Sequence, residues 1–173
     1  IVVFLFVIFL CLKVKLSLHS SVILALIKSI IFCTYFYFLY DTKYHFYDDI
    51  VYYSVTRDKL LNYGILDYFN SMYDIKASIG TNHIGFWSLV YLSLKIFGTY
   101  YYSVVAVNII IISFASYLFY LTFLQLNFKK HFCQLFFIFS LIHWDIISWS
   151  SFLISKEPLI YFSISFLFYN LTV

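Results

Sequence analysis

The residues best suited to chemistry are two adjacent carboxylates, Asp48 and Asp49, which lie near the start of a polar, tyrosine-rich segment. A carboxylate can act as a general base, or bind a metal ion, on a substrate held at a membrane surface. The same pair at the start of a helix could instead cap it by accepting hydrogen bonds from the free backbone N–H groups. An adjacent acidic pair alone does not separate these two interpretations.

The composition places this polar segment in a membrane protein. Hydrophobic residues make up 64% of the 173 residues and charged residues 11%, whereas a soluble domain has roughly 45–50% and about 25%. The sequence predicts an all-α fold, a polytopic transmembrane helical bundle that forms a single domain over 1–173. Because it opens on Ile1 and stays apolar to Val173, we expect a fragment of a larger protein.

Six apolar stretches are candidate spans; in chain order they are 1–12 (incomplete), 21–40, 84–97, 100–126, 132–144 and 158–173. A helix needs about 20 apolar residues to cross the hydrocarbon core, so we expect four to five of the stretches to cross. The loop at 41–82 mixes aromatic and aliphatic residues with charges, a pattern typical of short helices in the interface plane. Gly64 is expected to divide them.

The charges predict the side on which this loop lies. Residues 41–82 contain six acidic and four basic residues, and the rest of the chain contains seven basic and two acidic residues. Lys and Arg are retained on the cytoplasmic side, so the loop should be extracytoplasmic. If every later stretch crossed, however, Lys129 and Lys130 would also lie outside. Either 84–97 does not fully cross, or this basic pair is tolerated there.

Other polar residues carry weaker signals. Cys11, Cys33 and Cys133 show no spacing that predicts a metal site or a disulfide, and we expect small buried side chains. Asp145 and the pair at 156–157 are functional candidates if they lie at membrane depth, although an interfacial ion pair is the simpler interpretation. No basic run is long enough to predict nucleic-acid binding.

The order of these features resembles the amino-terminal part of the GT-C fold glycosyltransferases, and the resemblance covers 21–126. The matching segments are DIVYY at 49–53, HIGFW at 83–87 running on to KIFG at 95–98, and the long apolar stretch at 100–126. Two departures stand out. Ile50 replaces the second acid of the commonest motif, and Ile84 and Gly85 replace its paired prolines.

The resemblance implies an enzyme that moves a sugar from a polyprenyl-phosphate carrier to a lipid, glycan or protein acceptor. Relatives of this kind are the dolichyl-phosphate-mannose-protein mannosyltransferases and the aminoarabinose transferases. The implied location is the outer face of a membrane, most simply the bacterial cytoplasmic membrane, with membrane lipid as a further partner. The implied transfer is inverting. A divalent metal ion is an open cofactor, and no metal ligand is assigned.

The resemblance also implies the roles of individual residues. Asp49 is the expected catalytic carboxylate, because its spacing to Tyr52 and Tyr53 fits the motif, and Asp48 is the alternative. The two tyrosines are expected in substrate binding. Two further residues are expected to contact the carrier phosphate, His83 first and Lys76 behind it.

Two alternatives are weighed against this hypothesis. An O-antigen-type polymerase would rely on arginines in a late loop, and this sequence has one arginine, Arg57. A transporter or a non-catalytic membrane subunit would use the acidic loop only as a connection. Transporters typically show broken helices and repeats, and neither is visible in the sequence.

Overall fold

The structure is a computed structural model that describes residues 1–40, 47–79 and 83–172. These residues form helices joined by short connections, and no strand occurs among them, so the all-α prediction is confirmed for this part of the chain. The helices are α1 (Val2–Lys13), α2 (Leu18–Thr34), α3 (Tyr47–Val55), α4 (Ile65–Asn70), α5 (Met72–Ile79), α6 (Ile84–Phe97), α7 (Tyr101–Gln125), α8 (Lys130–Ile142), α9 (Trp144–Ser151) and α10 (Glu157–Thr172). A π turn extends α2 through Tyr35–Leu39, and another extends α3 through Thr56–Leu60.

Among the described residues, two helices are long and apolar enough to cross a membrane. They are α2 with its extension, Leu18–Leu39, at 22 residues, and α7 at 25 residues. At 1.5 Å per residue, α7 is about 37 Å long, which exceeds a hydrocarbon core of about 30 Å. The apolar helices α1, α6 and α8 have 12, 14 and 13 residues and fall short of that length.

The long helix α7 is packed along its length against α10. Its small residues Ser113, Ala115 and Ser116 are fully buried, and small residues let neighbouring helices approach closely. The two serine hydroxyls donate to carbonyls four residues earlier on α7. The helix therefore presents few unsatisfied polar groups to its neighbours.

The helices α7 and α10 run in the same direction. Ile154, which precedes α10, bonds to Tyr101 at the start of α7, and Thr172 at the end of α10 donates to Gln125 at the end of α7. The segment between them, α8 and α9, must therefore lead back along the bundle. His143 divides that segment with an extended backbone conformation.

The bundle has two ends of different character. At the first end the Val14 carbonyl accepts hydrogen bonds from Tyr120 and Gln134. This end contains the connections at 14–17 and 126–129, and we call it the basic end. The opposite end, which we call the loop end, contains α3 to α6, the start of α7 and the connection at 152–156.

The helix α6 lies between the loop helices and α7. One face bonds to the loop: Ser88 to Tyr68 at 3.2 Å, and the Lys95 ammonium to the carbonyl of Tyr63 at 3.1 Å. The ring of Tyr91 stacks on that of Tyr68 at 4.0 Å between centroids. The opposite, apolar face packs on the first two turns of α7. Along most of its length, α6 therefore contacts the loop on one face and the start of α7 on the other, and both belong to the loop end.

The apolar core of α1, α2, α7 and α8 contains one charged side chain. Lys28 on α2 is fully buried, and its ammonium has no hydrogen-bond partner within 1–40, 47–79 and 83–172.

Cys11 and Cys133 are buried as predicted, but the prediction for Cys33 is wrong: this thiol lies on an exposed face of α2.

Candidate functional site

The candidate site is built around a buried carboxylate at the junction of α3 and α7. Asp49 lies in the first turn of α3 and is only 3% exposed. The hydroxyl of Tyr101, the first residue of α7, donates to Asp49 Oδ2 at 2.9 Å. Asp48 lies in the same turn of α3, but its side chain is outside the described residues. The structure thus joins the acidic motif to the long apolar helix.

Aromatic rings surround the Tyr101 side chain. Its ring centroid lies 5.2 Å from that of Tyr40, 5.6 Å from that of Tyr53 and 6.1 Å from that of Phe36. The Tyr53 hydroxyl is engaged elsewhere, because it donates to the Thr99 carbonyl at 2.8 Å. These rings keep water from the bond between Tyr101 and Asp49, and electrostatic interactions are stronger where water is excluded.

The connection at 152–156 also contributes to the site, beside α3 and α7. The backbone N–H of Ile154 donates to the Tyr101 hydroxyl at 3.1 Å. The Asn108 amide on α7 donates to the carbonyls of Leu153 and Ser155, at 3.2 and 3.4 Å. Two side chains of α7 therefore hold this non-helical backbone, which would otherwise lack partners in an apolar setting.

A cation lies beside the same cluster. The Arg57 guanidinium is 5.2 Å from the Tyr53 ring centroid, a cation–π arrangement. It also donates to both carboxylate oxygens of Asp58, at 2.7 and 3.2 Å. This hydrogen bonding lowers the pKa of the Asp58 carboxyl below its ordinary value. Both side chains are exposed, so the pair lies at the surface of the loop end.

The other residues predicted from the sequence have different surroundings. Tyr52 packs edge-on against Phe86 and Trp87 of α6, with centroids 4.8 and 5.0 Å apart. The His83 carbonyl accepts hydrogen bonds from the backbone N–H groups of Phe86 and Trp87 in α6, and the His83 side chain is exposed. Lys76 is exposed on α5. Contact of His83 and Lys76 with a carrier phosphate stays a prediction.

Three residues of the site were missed in the sequence analysis: Tyr101, Asn108 and Arg57. Asn108 carried a usable signal, since a lone amide in an otherwise apolar helix normally finds a partner on another element. Tyr101 carried none, because it is one of 18 tyrosines. Arg57 was noted only as the single arginine.

Metal binding finds no support in this arrangement. Within the described ranges, no three His, Cys, Asp or Glu side chains lie close enough together to hold a metal ion. We therefore assign no step to a metal.

Comparisons with protein-family models, curated proteins and solved structures give no match to this chain.

Proposed function

We propose that this chain is part of a membrane glycosyltransferase of the GT-C type, with Asp49 as the catalytic carboxylate. In this reaction an acceptor hydroxyl attacks the anomeric carbon of a polyprenyl-phosphate sugar, the phosphate leaves with its electron pair, and Asp49 takes the hydroxyl proton. The bond between Asp49 and Tyr101 is the observation that carries the proposal, because it unites the two sequence features on which the resemblance is based.

The charge of the basic end supports a multi-pass arrangement in which this end is cytoplasmic and the loop end is outside. The basic end carries exposed lysines at positions 13, 15, 129 and 130, and 13–19 and 126–131 contain no Asp or Glu. The loop end carries the acidic residues Asp49, Asp58, Asp67 and Asp74 together with the basic residues Arg57, Lys59, Lys76, Lys95 and Lys156, so positive charge is unbalanced at the basic end and largely balanced at the loop end. If α6 stays with the loop and does not cross, all four lysines of the basic end lie on the cytoplasmic side. The earlier conflict over 129 and 130 then disappears.

The departing phosphate needs a cationic group close to Asp49. Arg57 meets this requirement best in the described part of the chain, because it contacts Tyr53, whose ring packs on Tyr101. It also has the planar donor set that suits phosphate oxygens. We therefore place Arg57 before His83 and Lys76 as the phosphate contact in this proposal.

The test is sugar transfer by membrane vesicles that contain the whole protein. We expect Asp49→Asn to reduce kcat by about 10²- to 10⁴-fold, the usual contribution of a general base. Asp67→Asn, which changes an exposed acid of the same loop, is the matched control and should transfer normally. Undiminished turnover in both Asp49→Asn and Asp48→Asn would remove the catalytic assignment.

A non-catalytic membrane subunit is the second candidate, and the burial of Asp49 favours it. A carboxylate that is 3% exposed and bonded to Tyr101 can serve to attach α3 to α7. In that case Asp49→Asn lowers the melting temperature, and the wild-type protein transfers no sugar from any lipid-linked donor.

A further inference from the structure

We infer that Tyr101 is a positioning residue for Asp49: its hydroxyl fixes which carboxylate oxygen is held, and it links the 152–156 connection to the loop end. The catalytic consequence of this role rests on the proposed function, whereas the bonding does not. The inference combines two hydrogen bonds that meet at one oxygen atom with the packing that keeps that atom in place.

The direction of the Tyr101 proton follows from its partners. The Ile154 N–H can only donate, so the hydroxyl oxygen accepts from it at 3.1 Å. The hydroxyl proton must then point elsewhere, and Asp49 Oδ2 lies 2.9 Å away. This oxygen is therefore an acceptor and does not carry a proton of its own.

The hydroxyl has little freedom to depart from this geometry. Tyr101 is 5% exposed, its ring is enclosed by three aromatic neighbours, and it starts a helix of 25 residues. Ile154 is 1% exposed and lies between the two carbonyls that Asn108 holds. Asp49 is thus oriented through Tyr101 by a rigid helix and by an anchored connection.

Orientation of this kind matters for catalysis more than for substrate binding. Small displacements of a catalytic group, of about 1 Å, can cost about 10²-fold in rate. Loss of an interaction that acts only in the transition state lowers kcat and leaves KM nearly unchanged. A residue that only stabilised the fold would lower the amount of folded protein and leave kcat per folded molecule unchanged.

The experiment compares Tyr101→Phe with Tyr102→Phe in the whole protein in membrane vesicles. Both changes remove one hydroxyl and keep the ring. Tyr102 is the neighbouring residue, but it is 43% exposed and its ring stacks on Tyr100. The first readout is the carboxylate stretching band of Asp49 in infrared spectra, isolated by subtracting the spectrum of each protein's Asp49→Asn counterpart. The second readout is kcat and KM for sugar transfer.

We expect Tyr101→Phe to shift the Asp49 band and to lower kcat by roughly 10- to 100-fold, with KM within about twofold of wild type. Tyr102→Phe should change neither. If Tyr101→Phe does not fold, 3-fluorotyrosine at position 101, a stronger donor of the same shape, should shift the band in the direction of stronger hydrogen bonding.

The outcomes separate this inference from the proposed function. An Asp49 band that is identical in wild type and Tyr101→Phe, or unmoved by the fluorotyrosine where the phenylalanine variant does not fold, overturns the inference. A shifted band with unchanged kcat overturns its catalytic part. If the band shifts in Tyr101→Phe but the wild-type protein transfers no sugar, the glycosyltransferase proposal is refuted, while the positioning of Asp49 by Tyr101 stands.

Discussion

Removing the Asn108 amide should destabilise the protein, because this side chain holds the 152–156 connection on α7. In Asn108→Ala the carbonyls of Leu153 and Ser155 lose their shared donor, at a position where Asn108 is fully buried. Hydrogen bonds between membrane helices contribute about 0.6 kcal/mol on average and up to about 1.7 kcal/mol. An unsatisfied buried group costs about 1–3 kcal/mol. The variant also removes Asn108 Oδ1, a buried atom without a hydrogen-bond partner in the described ranges, which offsets part of this cost, and we therefore expect a loss of about 1–2 kcal/mol.

The assay is the thermal unfolding of purified protein in detergent. A loss of about 1–2 kcal/mol corresponds to a melting temperature lower by roughly 2–8 °C for a protein of this size. Asn170→Ala is the matched control: Asn170 is exposed on α10, and its amide donates to the Phe166 carbonyl of its own helix at 2.7 Å. That change should lower the melting temperature by no more than about 1 °C.

Equal melting temperatures of wild type and Asn108→Ala would refute this reasoning. They would mean that the connection is not held by α7, and the approach of Ile154 to Tyr101 would lose its explanation. An equal effect of both variants would show that the loss reflects helix propensity and not the buried bond.

Two further predictions concern charged residues. Lys28→Met should raise the free energy of unfolding by about 1–3 kcal/mol, because it removes a buried ammonium without a hydrogen-bond partner in the described ranges. Lys130→Met, at an exposed site, should leave unfolding in the same detergent unchanged, and a less stable Lys28→Met would contradict the argument. Arg57→Gln should raise the pKa of the Asp58 carboxyl toward its ordinary value, because the guanidinium lowers it. In the wild-type protein the pair stabilises the fold above the ordinary pKa of Asp58 and loses this effect as the pH falls through the lowered pKa. An NMR titration of Asp58 that is the same with and without Arg57 would contradict this.

Local features of the fold could be predicted from the sequence. The apolar runs at 21–40 and 100–126 predicted the two longest helices to within a few residues. Gly64 was expected to divide the loop helices, and α4 starts directly after it. Both predictions rest on patterns within one segment, and such patterns depend on helix geometry and on the size of the apolar face.

The placement of α6 was harder to predict, because its mean composition resembles a membrane span. A usable signal was present in its polar residues, since Ser88, Tyr91 and Lys95 follow a spacing that puts them on one helix face. That face contacts the loop helices. The pattern of polar side chains around α6, and not its average hydrophobicity, indicates that one of its faces packs against the loop.

The candidate site could be predicted only in part. Asp49 was identifiable from its motif, but its partner Tyr101 lies 52 positions away and Ile154 lies 53 positions beyond that. Contacts over such distances depend on how the helices pack, and a single sequence does not specify this packing. The burial of Lys28 likewise depends on how the helices pack and could not be predicted from the sequence.

The sidedness of the loop end tests the central claim most directly, because the proposed chemistry needs Asp49 at the outer membrane face. Single cysteines replace the exposed residues Lys76, in the loop end, and Lys129, at the basic end, in a protein whose Cys11, Cys33 and Cys133 are changed to alanine. The measurement is labelling of intact cells by a membrane-impermeant maleimide. We predict that the cysteine at 76 is labelled and that the cysteine at 129 is labelled only after the cells are opened. Labelling of 129 and protection of 76 in intact cells would contradict the account.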